Sequence, residues 1–334
     1  MILTSVTDIN PLQWSDLLAQ SPTASFFQSP ECYDFYASLS FLKPFVFGVS
    51  ENEKLVGIMC GYIIADGNLI KQFFSRRAIV PGGLLLDSQI SFNTLQQLLK
   101  FATQELSRKA IYLEIRNYND YQQFRPMFNA SGFEYQSHLN FHLPINNLEF
   151  ALSSLKPNKR RYIKLSKKEG AEWEIAKTIN DVKEFYELLR ELYLTKVKTP
   201  LFPFEFFEKL LLCPSAKILL VRYQNKIVGG GVFVILSNKI IYEWFVCGED
   251  RKYKNVYPSI LATWAGIEYA VDNNLVQFDF MGAGKPGVEY GVRDFKAEFG
   301  GNLVEYGRFL FVCRPYLYSL GKYIVQKLKM RKSG

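Results

Sequence analysis

Residues 216–236 read AKILLVRYQNKIVGGGVFVIL, and an earlier stretch, 45–64, reads FVFGVSENEKLVGIMCGYII. Each is an apolar run rich in β-branched and aromatic residues, then a polar turn, then a second apolar run, which is the pattern of a β-hairpin. The two line up residue for residue after the turn: Lys54-Leu55-Val56-Gly57 against Lys226-Ile227-Val228-Gly229. Self-similarity of this kind marks an internal repeat, and it governs the reading of everything around it.

Working outward, each hairpin is followed by a third apolar run and then a helix. The first helix is expected over 92–108 and the second over 258–273, where Leu261, Trp264, Ile267 and Ala270 fall at near-helical spacing. Each helix leads into another strand, IYLEIR (111–116) and VQFDFM (276–281). Helical material precedes both hairpins, at 10–19 and 30–40 in the first half and at 180–197 and 203–212 in the second. Hairpin, helix, strand, given twice, predicts two α/β units of one α+β fold with mixed, largely antiparallel sheets. Pro144, Asn146, Asn147, Pro157 and Asn158 break regularity at the join. The first domain is therefore expected over 1–145 and the second over 146–310. A last amphipathic segment within 311–334 reads as a helix that packs back on the first domain, in preference to docking on a membrane.

The length of 334 residues suits two domains of ordinary size, and 48% hydrophobic residues suits a soluble globular protein. Residues 1–10 lack the basic flank and apolar run of a secretory signal, and no stretch approaches about 18 uninterrupted apolar residues. Five scattered cysteines form no CxxC pair, which argues against a disulfide framework and a zinc site. A cytoplasmic protein is expected, with peripheral contact at the inner membrane face as a further option. The net charge of +8 favours anionic partners such as tRNA, a nucleotide-linked substrate, coenzyme A or an acidic membrane surface. The excess is uneven: residues 156–168, KPNKRRYIKLSKK, hold seven cations and no acid. A solvated helix face and a phosphate track are the two readings of such a run.

The chemistry concentrates in residues 278–301, FDFMGAGKPGVEYGVRDFKAEFGG. Gly282, Gly284 and Gly287 satisfy G-x-G-x-x-G after a strand, but Pro286 and Gly291 interrupt the helix that a dinucleotide site requires. A Walker A loop fails because no Ser or Thr follows Lys285. Strand alternation puts Phe278 and Phe280 on one face and Gln277 and Asp279 on the other, so Asp279 is expected near a strand end, facing a cleft. In the short helix that follows, Phe295 and Phe299 share one face and Arg293 and Lys296 another. A strand carboxylate, a glycine-rich loop carrying Gly282, Gly284 and Tyr290, and two cations form a candidate site for an anionic or carbonyl-bearing substrate. The alternative is that Asp279 pairs with Lys296 or Arg293 and merely pins the loop.

These residues resemble a known family. Asp279-Phe280-Met281-Gly282, with Gly291-Val292-x-x-Phe295-Lys296-x-x-Phe299-Gly300-Gly301, resembles the C-terminal signature of the Fem-type (FemABX-like) peptidoglycan-bridge aminoacyltransferases and their acyltransferase relatives. The run that contains Arg160, Arg161, Ile163, Lys164, Lys167 and Gly170 is similar to the basic helix that opens the second domain in that family. A third likeness is the row Leu261, Trp264, Ile267 and Ala270 ahead of the strand that carries Asp279. The resemblance is strong over about 150–305 and weaker over 1–145, where it rests on the repeat and on Val80-Pro81-Gly82-Gly83-Leu84. It implies tandem N-acetyltransferase-like (GNAT) domains. It also implies an amine on a peptidoglycan precursor attacking the ester of an aminoacyl-tRNA, with no cofactor beyond that co-substrate. Looser relatives imply an acyl thioester, either acyl-CoA or an acyl-carrier protein.

Transfer of an acyl group to an amine requires an unprotonated amine, a stabilised carbonyl oxygen and two substrates held together. No Ser-His-Asp or Cys-His set is evident, and His138 and His142 lack a third metal ligand, so direct attack without a covalent enzyme intermediate is expected and no metal. Lys296 is the leading candidate for an essential cation, with Arg293 beside it, and Asp279 and Glu243 for relaying the amine proton. GNAT domains bind pyrophosphate at a glycine-containing turn before the main helix, but Arg251-Lys252-Tyr253-Lys254 and the residues after it lack those glycines. Arg251 and Lys254 could still meet phosphates. Arg160, Arg161 and Lys164 are the candidates on the basic helix. The competing readings are an N-acyltransferase with a thioester donor, acting in polysaccharide or lipid modification, and a non-catalytic basic module that binds anions.

Overall fold

A computed structural model describes residues 1–67, 72 and 74–333. The chain divides into two units, Met1–Ser137 with Tyr306–Gly334, and His138–Glu305. In the first unit the sheet runs β1 (Ile2–Leu3), β2 (Lys43–Glu51), β3 (Lys54–Ile64), β4 (Arg77–Gly82), β6 (Tyr112–Asn117), β15 (Arg308–Val312) and β7 (Glu134–Gln136), with β5 (Leu85–Leu86) pairing on β3. Helix α1 (Phe92–Ser107) lays Leu95, Leu98, Leu99, Ala102 and Leu106 on this sheet, the spacing of one helical face. Its N-terminus is closed by Ser91, whose hydroxyl accepts from the Thr94 amide at 3.2 Å.

In the second unit the order is β14 (Asn302–Glu305), β8 (Leu139–Pro144), β13 (Gln277–Asp279), β12 (Ile240–Gly248), β11 (Lys226–Leu236), β10 (Ala216–Tyr223) and β9 (Glu172–Ile175). Its helices include the basic α2 (Pro157–Lys168), α3 (Ile179–Leu192), α4 (Pro258–Asp272) and the short α5 (Gly291–Ala297). Helix α4 is buried on almost every side, from Ile260 and Leu261 to Ile267 and Ala270. That explains why its sequence is apolar well beyond a single stripe.

The repeat is real down to its irregularities. Both hairpins turn on two residues with positive φ, Asn52 and Glu53 in one and Gln224 and Asn225 in the other, as a type I′ turn demands. Both carry a bulge at the same place. Val56 is skipped between the pairs Val49–Gly57 and Ser50–Leu55, and Val228 between Val221–Gly229 and Arg222–Ile227.

The sheets also differ from the boundaries drawn on sequence. Leu139–Pro144, read as the end of the first domain, pairs in the second sheet between β13 and β14. The strand after β14 pairs in the first sheet, between β6 and β7. The two slots are equivalent, and alternation tells a strand which face is apolar, not which of two like sheets it will join. The terminal helix Pro315–Ser333 belongs to the first unit, where Tyr318 meets Tyr112 edge-on at 5.6 Å between ring centroids.

The central parallel pairs position the site. β4 and β6 stay in register over all six pairs from Arg77–Tyr112 to Gly82–Asn117. β12 and β13 hold for three, Ile240–Gln277, Ile241–Phe278 and Tyr242–Asp279, and then part.

Candidate active site

Glu243 stands one residue beyond the last β12–β13 pair. The antiparallel partner β11 pairs Phe233 with Glu243 and Val232 with Phe245, so Trp244 is the extra residue of a bulge at this point. Bulges re-aim side chains and recur beside active sites. Glu243 is 3% exposed, and neither carboxyl oxygen has a hydrogen-bond partner among the described residues. Burial pushes its pKa up from 4.5 to about 7, with the Lys296 ammonium pulling it down and Asp279 pushing it further up. The Thr263 hydroxyl on α4 is near enough to favour the ionised form, yet it meets no hydrogen-bond geometry. A buried, unpaired carboxyl poised near neutrality is the profile of a general base.

Asp279 does not face a cleft; it is fully buried. Its Oδ1 accepts from Asn140 Nδ2 at 2.7 Å and from the Met281 amide at 2.7 Å. His142 Nε2 lies 3.1 Å from Oδ2, within ion-pair distance but outside hydrogen-bond alignment. Asn140 Oδ1 in turn accepts from the Gly282 amide at 2.9 Å. The two side chains thus clamp a turn in which Met281 has φ 52° and Gly282 φ 86°. A carboxylate beside a positive-φ pair is a turn-holding device as much as a catalytic one.

Lys296 is also turned inward. Its ammonium donates to the carbonyl of Phe280, to that of Gly282 at 2.8 Å and to that of Met281 at 3.3 Å. Those three acceptors match the three N–H groups of a lysine, so its hydrogen bonds are spent on the turn that follows β13. Burial lowers its pKa, while Glu243 and Asp279 oppose that shift. Lys296 therefore presents a fixed positive charge rather than free donors. Arg293 works alike: Nε donates to Ala283 O at 2.8 Å, Nη1 to Val288 O at 2.9 Å and Nη2 to Lys285 O. The cations pin the glycine loop through its carbonyls, not through an ion pair with Asp279. Lys296, Asp279 and Glu243 do come together as one electrostatically coupled group. Gly284 lies under the ring of Tyr290, which is exposed.

On the basic helix the residues split. Lys159 is buried against Glu298 at 3.1 Å, Arg160 donates to Leu155 O at 3.2 Å, and Lys167 pairs with Glu268 at 2.8 Å. Arg161, Lys164 and Lys168 are exposed at the spacing of one helical face, so of the three candidates Arg161 and Lys164 point outward while Arg160 is half-buried. Arg251 and Lys254 are exposed on the loop between β12 and α4. The N-terminus of α4, where a pyrophosphate would sit, is occupied from within. Asp250 accepts from the Ser259 amide at 3.0 Å and from its hydroxyl at 2.6 Å. Gly248 comes so close that a Cβ there would lie 2.2 Å from Ser259 N.

Asn140 and Asp250 were missed on sequence. Asn140 had a signal, because His138, Asn140 and His142 form a period-two polar row in an otherwise apolar strand. Asp250 had none without knowing which helix it caps. Among the described residues, no three His, Cys, Asp or Glu side chains gather as metal ligands would.

Residues 215–326 match the model of the FemAB family. No curated protein matches the sequence. Among solved structures, FemX is similar over 93% of this chain and 98% of its own, with TM-score 0.72 and 15% identity. A tandem GNAT protein from the clavulanic acid biosynthesis pathway covers 94% and 98%, with TM-score 0.58 and 14% identity. L-PGS from Bacillus licheniformis covers 94% and 96%, with TM-score 0.56 and 11% identity. Residues 215–326 thus carry the likeness to the FemAB family, and the chain as a whole shares its fold with FemX and with a tandem GNAT protein.

Proposed function

We propose that the second unit transfers an aminoacyl group from an aminoacyl-tRNA to an amine of a peptidoglycan precursor. The observation that carries the reading is Glu243, an unpaired buried carboxyl held near pH 7 where β12 and β13 part. The amine lone pair attacks the ester carbonyl carbon, the C–N bond forms, and the ester C–O bond breaks to release the terminal ribose hydroxyl. Glu243, ionised, takes the ammonium proton through a bridging water, and that proton balances the departing oxygen. Lys296 supplies the fixed positive charge beside the developing oxyanion while it holds the turn. The family match and the FemX fold support the choice of substrates. No cofactor enters the reaction.

Two observations favour tRNA over a thioester of coenzyme A as donor. The α4 N-terminus is already taken by the Asp250 carboxylate, which repels phosphate. Arg161, Lys164 and Lys168 form an exposed cationic row suited to a nucleic-acid backbone. The test is a donor screen with a charged tRNA pool and, separately, acyl-CoAs, each at low and moderate salt. Salt-sensitive tRNA binding that weakens in the triple variant Arg161→Ala, Lys164→Ala, Lys168→Ala supports the proposal. Binding of CoA with indifference to tRNA would replace the donor by a thioester, and binding without any transfer would leave a non-catalytic module.

A further inference from the structure

The terminal helix Pro315–Ser333 carries Lys322, Lys327, Lys329, Arg331 and Lys332 and no acidic residue. It leans on the first unit through one face: Arg314, just ahead of it, donates to the carbonyls of Ser107 and Arg108, and Tyr318 packs on Tyr112. At 100° per residue, Tyr316, Leu320, Tyr323 and Ile324 gather on the face opposite Tyr318. All four are exposed, Tyr316 at 92%, Tyr323 at 53%, Ile324 at 48% and Leu320 at 47%. Lys322 and Lys327 lie over the rings of Tyr318 and Tyr323, at 5.4 and 4.8 Å from the centroids.

At the end of the unit where this helix starts, an open cavity of about 840 Å3 has an apolar floor that includes Leu42, Ile63 and Leu106. Among the described residues its lining includes Lys43, Arg76, Arg108 and Lys109 and no acidic side chain. Lys109 is bonded to Glu105 at 3.3 Å, outside that lining.

We infer that this face of the first unit docks on an anionic lipid bilayer, with the helix lying in the interface and its cations on the phosphates. An aromatic and aliphatic stripe set among lysines, without an acid, is what an interfacial helix presents. The charge decides the occupant: a cationic helix beside a cationic cavity rim fits a negatively charged surface and would repel a second copy of itself. No helix among the described residues is long and apolar enough to cross a membrane, so the helix lies on the bilayer and does not span it. The inference concerns the first unit alone and does not depend on the reaction assigned to the second.

The test is co-flotation of the full chain with vesicles of equal parts phosphatidylglycerol and phosphatidylcholine, against phosphatidylcholine alone, at low and high salt. Binding is expected on the anionic vesicles and to weaken with salt. The triple variant Leu320→Ser, Tyr323→Ser, Ile324→Ser and the double variant Lys322→Glu, Lys327→Glu are each expected to lower it about tenfold or more. All five positions are exposed, and an unchanged thermal melt checks that the fold is intact. Equal binding to neutral vesicles, indifference to either variant, or no binding at all overturns the inference. So does a concentration-dependent dimer abolished by the triple variant, which would assign the stripe to self-association.

Discussion

The third pair of each central parallel ladder holds a carboxylate: Glu114 opposite Ile79 in the first unit, and Asp279 opposite Tyr242 in the second. Glu114 is quenched by guanidinium groups. It accepts from Arg116 at 3.2 and 3.3 Å and from Arg308, and against the penalty of burial these hold its pKa down at about 2. Asp279 is met instead by an amide, a histidine and a backbone N–H. One step further on, the first unit continues its ladder with Val80 against Ile115, whereas the second breaks it at Glu243. The same fold element is a zipped, charge-compensated strand pair in one copy and an opened, proton-holding one in the other. The two scaffolds are alike, and the second differs from the first by the loss of pairing at the position of the proposed base.

The largest expected effect is at Glu243. Glu243→Gln should lower kcat/KM for transfer by roughly 10²–10⁴ and remove an acid limb with a midpoint near pH 7, read from pH–rate profiles. The same variant has a stability signature. The folded carboxyl has its pKa raised, so the folded state keeps a proton that the unfolded chain loses above 4.5. The contribution of Glu243 to stability thus falls from pH 4.5 to about 7 and then levels off. Relative to it, the Gln variant should gain up to roughly 3 kcal/mol between acid and pH 8 in denaturant melts. Unaltered activity in Glu243→Gln would end the comparison as drawn.

Lys296→Met leaves the buried carbonyl of Phe280 and the half-buried ones of Met281 and Gly282 without their donor and should cost roughly 3 kcal/mol of stability as well as activity. A variant that folds as well as the parent would show that the turn does not need the ammonium. In the first unit, Glu114→Gln should cost roughly 2 kcal/mol at neutral pH and leave the rate of transfer unchanged. Because the folded pKa is depressed, the contribution of Glu114 is present above 4.5 and lost as pH falls towards 2, so parent and variant should converge in acid melts. The smallest effect is expected at His142→Gln, about 1 kcal/mol, since Asn140 still holds Asp279. Loss of all activity there would make His142 part of the chemistry and sharpen the contrast with Arg308, which stands on the equivalent strand.

Much of this was legible in the residues. The hairpin repeat, the helices and the two-unit plan follow from apolar periodicity and turn chemistry, which are local properties. The grouping of Glu243, Asp279 and Lys296 was anticipated, but not their burial. Alternation correctly separated Asp279 from Phe278 and Phe280, yet a side chain on an inner strand also meets those of the neighbouring strand, and here Asn140 and His142 of β8 reach the Asp279 carboxylate. Lys296 and Arg293 read as outward cations because an amphipathic helix shows its polar face to solvent. In a seven-residue helix bounded by a glycine loop, backbone carbonyls outcompete solvent for them.

The sequence by itself determined the duplicated hairpins and their polar turns, the apolar central helix, and the strand–glycine–cation order of the site, because each is set by neighbours a few residues apart. Tertiary structure alone decided the exchange of β8 and β15 between equivalent slots, the parting of β12 from β13 after Tyr242, and the filling of the α4 N-terminus by Asp250. Those depend on which of several compatible partners a strand edge or helix end meets in space. Pairing across long separations is chosen by packing and by competition between like surfaces, and no local pattern encodes the winner.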